Sequence, residues 1–182
     1  LVGAAVIRER EHGTIEHLLV MPVDANEIVM AKILANGLII LVSSLISLLL
    51  VVHRAVGVPI NGSLALFVFC EAVYLFAMAG LGVLLATQAP TMPQFSLLCT
   101  IVYIAVFLLS GSTSPIENLP PWLRSLSELS PMTQFTALSK DIVFRGAGWS
   151  VIRHRVAITA VSGILFTAIA VIRFRRMLAQ QN

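Results

Sequence analysis

Long apolar stretches separated by short polar ones dominate the chain. Apolar runs cover about 33–52, 64–87, 95–111 and 156–172, and residues 1–7 look like the end of a further one. About 20 apolar residues cross roughly 30 Å of hydrocarbon as a helix, so each complete run predicts a membrane span. The connections differ in kind. His53 to Gly62 holds Gly57, Pro59 and an Asn61-Gly62 turn signal, Gln88 to Gln94 holds Pro90 and Pro93, and residues 112–155 form a long excursion.

One polar stretch stands apart from these connections. Arg8 to Met21, R-E-R-E-H-G-T-I-E-H-L-L-V-M, concentrates charge between membrane-grade sequence on both sides. Gly13 can break the helix leaving the membrane and Thr14 can cap a new one, after which Ile15, Leu18 and Leu19 share a face at i, i+3 and i+4. This pattern predicts a short amphipathic helix along the membrane surface. Pro22 ends it. Asp24 and Glu27 have capping-box spacing, with Val23 and Ile28 placed as the hydrophobic staple that fixes how the next helix enters. A rigid elbow between two helices is the expected consequence; the alternative is a solvated loop whose arginines sit among lipid headgroups.

Composition changes the picture only by confirming its class. The chain is 58% hydrophobic and 12% charged, with mean hydropathy +0.93, whereas an ordinary soluble domain carries roughly 25% charged residues. The fold class expected is all-α, a polytopic transmembrane helix bundle. Because the sequence opens inside an apolar run with no initiator Met or basic flank, we expect it to be the C-terminal part of a longer protein. Cys70 and Cys99 both lie in apolar runs without a C-x-x-C pair and suggest neither disulfide nor metal. His12, Glu16 and His17 give the order H-x-x-x-E-H, which matches neither zinc-peptidase order.

Charge counting leaves the orientation open. Four crossings put residues 8–32, 88–94 and 173–182 on one side with six Lys and Arg, and residues 53–62 and 112–155 on the other, also with six. The R-F-R-R cluster after the last span favours a cytoplasmic C-terminus. No G-x-x-x-x-G-K-[ST] surrounds Lys32 or Lys140, so nothing in the sequence holds ATP phosphates. Glu71 is the ionisable residue well inside a span, a candidate for the transport pathway or for helix packing. Gly80, Gly82 and Ala86 in one span, and Ala160, Gly163 and Thr167 in another, would let backbones approach, in a dimer or within one chain equally.

The excursion has its own pattern. Ser130 and Pro131 suit a helix start, Phe135, Leu138 and Ile142 form an apolar stripe, and Gly146 suits a stop. Trp122, Leu123 and Leu126 give the preceding piece a face suited to the membrane interface.

The run R-E-R-E-H-G-T-I-E-H-L-L-V-M-P followed by E-I-V-M-A-K-I resembles the segment after the second span of ABC-2 type permeases, the membrane subunits of ATP-driven exporters. Glu9, Arg10, Glu11, Gly13, Thr14, Glu16, Leu18, Pro22 and Lys32 occupy the places of the family pattern. Residues 115–146 likewise resemble the family's external pair of short helices that dip into the outer leaflet.

That resemblance implies a cytoplasmic coupling helix at 8–21 that docks on an ATP-binding subunit through Arg8, Glu9, Arg10, Glu11, Gly13, Thr14, Ile15, Glu16 and Leu18. It implies a transmission elbow at Pro22, Asp24, Glu27 and Lys32, and a cytoplasmic side for residues 8–32. ATP and magnesium are then expected in the partner subunit, with no cofactor or catalytic residue in this chain. The expected setting is a bacterial inner membrane, with a homodimer or heterodimer of permeases, a periplasmic adaptor as a candidate partner, and no nucleic acid. The expected cargo is hydrophobic or amphipathic, drugs among the candidates. The alternative function is a membrane scaffold that binds a soluble partner through 8–21 and transports nothing.

Overall fold

A computed structural model of the chain describes residues 2–11, 25–112 and 116–179. Among them the fold is all-α: α1 (Val2–Glu11), α2 (Ala25–Ser47), continued by a π-helical stretch (Leu48–Ala55), α3 (Leu64–Ala86), α4 (Met92–Leu109), α5 (Pro121–Glu128), α6 (Pro131–Arg145) and α7 (Trp149–Ala179). A single 3-10 turn, Ile116–Asn118, precedes α5. Among the described residues four stretches are long and apolar enough to cross a membrane: Met30–Ala55, Leu64–Ala86, Met92–Leu109 and Trp149–Arg175, with mean hydropathies of 2.5, 2.1, 2.0 and 2.1. The chain is therefore a multi-pass membrane helix bundle.

The helix ends depart from the expected ones for identifiable reasons. α1 runs past Ile7 through Arg8, Glu9, Arg10 and Glu11, because Arg and Glu are good helix formers and hydropathy does not set where a helix stops. α4 starts at Met92, with Pro93 inside its first turn, where a missing N–H costs nothing. α7 extends well beyond 156–172, carrying Arg153 and Arg155 near one end and Arg173 and Arg175 near the other. Such cationic ends reach the headgroups while the helix between them spans the hydrocarbon.

α3 is the hub, packing against α1, α2, α6 and α7. Its tightest partner is α7, and small residues permit the contact. A Cβ on Gly163 would lie 3.0 Å from both Cα and Cβ of Ala77 and from the Phe76 ring, and one on Gly80 would meet Thr167. Dispersion between closely approaching backbones is what associates helices in lipid. The small-residue seam is thus used within the chain. α2 and α4, by contrast, turn large apolar side chains outward: Leu34 and Leu97 are each 64% exposed.

Two apolar clusters form at opposite ends of the hub. One gathers Val2 and Ile7 of α1, Ile33 of α2, Val83 of α3, Phe95 of α4, and Ala170 and Phe174 of α7. The other gathers Phe67 and Cys70 of α3, Leu138, Ile142 and Val143 of α6, and Ile152 and Val156 of α7. The short helix α6 thus fills a place between spans.

Candidate functional site

The segment singled out by the sequence lies largely outside the described residues. Gly13, Thr14, Ile15, Glu16, Leu18, Pro22 and Asp24 are all in that interval, so the predicted amphipathic helix and the N-cap half of the elbow are not described. Its two flanks are described. Glu9, Arg10 and Glu11 form the last turn of α1, and Arg8 is exposed. On the far flank α2 starts at Ala25 with Glu27, exposed, in its first turn, where a carboxylate complements the helix dipole. Lys32 is half-buried, and its carbonyl accepts the Asn36 amide at 3.0 Å. Both flanks enter the same apolar cluster, through Ile7 and Ile33, which are 0% and 2% exposed. The two helices that leave the undescribed interval are therefore packed into one body.

The other end is built around α6. Phe135 stacks on Tyr74, with ring centroids 4.3 Å apart and planes 5° from parallel, and meets Phe67 at 6.2 Å. Tyr74 lies ten residues into α3, roughly 15 Å along its axis. α6 therefore packs well along this candidate span and not merely at its end. The expected stripe is realised, Leu138 and Ile142 being 1% and 0% exposed. α5 shows the complementary arrangement, with Trp122 and Leu126 turned outward at 70% and 58% exposure.

Local chemistry fixes where α6 starts and stops. Ser130 holds the N-cap position in an extended conformation, but its hydroxyl makes no cap bond and is buried without a partner among the described residues. The expected side-chain cap is absent, and Gln134 instead ties this end to its neighbours: its amide donates to the Glu128 carbonyl, and its carbonyl accepts from Arg155 at 3.1 Å. Gly146 stops the helix with φ +64, which costs a Cβ-bearing residue about 1 kcal/mol or more. The Asn61 amide groups close the C-terminus, the backbone N–H donating to Val143 O at 3.0 Å and Nδ2 to Phe144 O at 2.9 Å. The turn signal in the sequence at Asn61-Gly62 thus serves as a tether between the loop after α2 and the end of α6.

Between the C-terminal end of α4 and helices α5, α6 and α7 lies a cavity of about 930 Å³. No property of the local sequence announces it. The 3-10 turn at Ile116–Asn118 adds to its walls, and its buried polar residues, Gln134, Thr133 and Ser110, are 4%, 2% and 0% exposed. Thr133 donates to Leu109 O at 3.4 Å, and Lys140 donates to Gly111 O at 3.2 Å. Glu71 lies elsewhere, on α3 facing Ser44 of α2. It is 5% exposed, and its Oε2 has no hydrogen-bond partner among the described residues. Among the described residues no group of His, Cys, Asp and Glu is arranged to hold a metal.

Residues 1–144, from α1 to the last turn of α6, match the family model described as ABC-2 type transporter. The chain belongs to the ABC-2 type transporter family. It is 44% identical over 177 residues to the inner membrane transport permease YhhJ of Escherichia coli K12, which covers 97% of this chain and 47% of that protein. It is 33% identical over 167 residues to the "probable multidrug ABC transporter permease YbhR" of the same organism, covering 90% of this chain and 45% of the relative. A more distant similarity, 24% over 148 residues, joins it to ABC transporter G family member 20 of Dictyostelium discoideum, covering 81% of the chain and 20% of the relative. The chain spans about half the length of the curated bacterial relatives it matches. No solved structure matches it.

Proposed function

We propose that the chain is the membrane-embedded, pathway-forming part of an ATP-driven exporter, and that residues 8–21 are its docking element for a separate ATP-binding subunit. The observation that carries this reading is the E-R-E-x-G-T-x-E-x-L run at Glu9 to Leu18, set between two spans in a chain of the ABC-2 family. Arg8, Glu9, Arg10, Glu11 and Glu16 supply charges that select a partner and orient it more than they add affinity. Ile15 and Leu18 supply the apolar contact, with Gly13 and Thr14 starting the helix. Pro22, Asp24, Glu27 and Lys32 then carry movement of the docked subunit into α2.

The joint burial of Ile7 and Ile33 supports this, because a push between α1 and α2 acts on one packed cluster. ATP and magnesium belong to the partner in this reading, and the chain itself is not an enzyme. A second permease, identical or similar, completes the pathway in a bacterial inner membrane, with residues 8–32 in the cytoplasm and α5 and α6 on the outer side, where an adaptor protein would reach them. The mostly apolar spans and the multidrug name borne by one relative favour a hydrophobic or amphipathic cargo, exported rather than imported.

Co-purification of the intact protein with its candidate ATP-binding subunit tests the docking element. Glu16→Arg and Leu18→Asp are expected each to lower recovery of the ATPase at least about tenfold, as loss of a central contact does, while the permease stays folded. Undiminished recovery with both variants would remove residues 8–21 from the interface.

A further inference from the structure

The cavity beside α6 has a charge arrangement that its structural bonds do not use up. Four cationic side chains line it, Arg124, Lys140, Arg145 and Arg155, together with three carboxylates. Arg124 is taken by Glu128 at 3.2 Å and Arg145 by Asp141 at 2.9 Å. Asp141 stands 3.9 Å from Arg155 Nε, a long approach from a carboxylate already engaged. Lys140 and Arg155 therefore keep most of their charge uncompensated, with His154 also on the lining and Glu117 as the remaining carboxylate among the described lining residues.

Their neutral bonds aim them. Arg155 is held by the Oε1 of Gln134, a side chain 96% buried by its 4% exposure, and that amide is fixed in turn by the Glu128 carbonyl. A guanidinium anchored through one nitrogen has further N–H groups to offer a ligand. Lys140 is anchored on Gly111 O across the same cavity. Two cations aimed by neutral acceptors are prepared for an anion, which at Arg155 competes with no more than the 3.9 Å approach of Asp141.

The apolar part of the wall restricts the ligand further. On α7, Val151, Arg155 and Ile158 fall at i, i+4 and i+7 and all line the cavity, so the guanidinium sits in a column of apolar side chains. Leu129 adds a fourth wall position, itself 64% exposed. A free ion would leave these groups bare. At about 930 Å³ the space suits a headgroup with the first part of a chain.

We propose that this cavity binds an amphiphile through an oxyanion held by Lys140 and Arg155, with its apolar portion resting on Leu129, Val151 and Ile158. A phosphodiester headgroup with a single negative charge has this chemistry, whether on a membrane lipid or on another amphipathic molecule. The proposal stands whether or not residues 8–21 dock an ATPase.

Native mass spectrometry of the intact protein, titrated in detergent with phosphatidylglycerol or with zwitterionic phosphatidylcholine, tests it. The wild type is expected to retain phosphatidylglycerol preferentially. Lys140→Gln and Arg155→Gln should each weaken retention roughly tenfold, and Arg153→Gln, one residue outside the cavity lining, should not. Lys140 is exposed, so its variant is expected to remain folded even if the loss of the Gln134 contact destabilises Arg155→Gln. Inorganic phosphate at equal concentration is expected not to displace the lipid; full displacement would show the oxyanion alone to be sufficient and would overturn the proposal of an amphiphile. Equal retention of the two lipids by the wild type, or undiminished phosphatidylglycerol retention in Lys140→Gln, would overturn it.

Discussion

The two ends of the bundle are held together by different physics. At the end where α1 finishes and α2 begins, the buried residues are uniformly apolar, and long helices converge: Ile7, Ile33, Val83, Phe95 and Phe174 share one cluster. Gly3 lies so close that a Cβ there would meet both the Gly82 carbonyl and the Phe95 ring. At the other end a short helix is inserted between spans, and buried polar groups, Ser110, Ser127, Thr133 and Gln134, are each engaged with a neighbouring carbonyl or side chain. Close-packed apolar contacts resist local change and transmit displacement as a unit. Hydrogen bonds are discrete and can be exchanged one at a time. Under the proposed function, the first end would receive the push and the second would exchange hydrogen-bond partners.

Substitutions at glycines of the spans can break this contrast, the largest effect falling where a backbone touches the hub helix. Gly163→Leu drives a side chain into Ala77 and Phe76, and is expected to cost about 1–3 kcal/mol. Gly37→Leu on α2 is the matched control, because nothing lies within 4 Å of its Cβ position among the described residues; it should change stability by less than about 0.5 kcal/mol. Thermal unfolding in detergent reads both. A large loss for Gly37→Leu would instead place a packed partner on that face of α2.

The polar end should respond more gently. Asn61→Ala removes the bond from Nδ2 to Phe144 O while leaving the backbone bond to Val143 O. A cost of about 1 kcal/mol is expected, with hydrogen exchange accelerated in the last turn of α6 and unchanged in α1. Equal acceleration in both helices would mean that the two ends do not open separately.

The spans were readable in the sequence because each needs only a long enough apolar run, a property local to the segment. Their ends were less so: Pro93 was tolerated in a first turn, Arg8 to Glu11 prolonged α1, and α7 carried its arginines beyond the apolar run. The stripe Phe135, Leu138, Ile142 and the stop at Gly146 were also legible, since both depend on spacing along one helix. The family pattern from Glu9 to Lys32 was the most specific signal, although much of that segment lies outside the described residues. The cavity was not legible. Lys140, Gln134 and Arg155 come together only when α6 packs across α7. The tether at Asn61 was read as a turn because its partners lie more than eighty positions away, at Val143 and Phe144.

The central claim is that a partner docked at residues 8–21 moves the end that carries α6. It is tested most directly by placing a single cysteine at the exposed cavity residue Ser125, in a Cys70→Ala, Cys99→Ala background, and measuring its modification by a membrane-impermeant reagent in the assembled transporter. The account predicts a modification rate that changes when ATP is bound and returns to its nucleotide-free value in Leu18→Asp. A rate indifferent to ATP in the native assembly would contradict it.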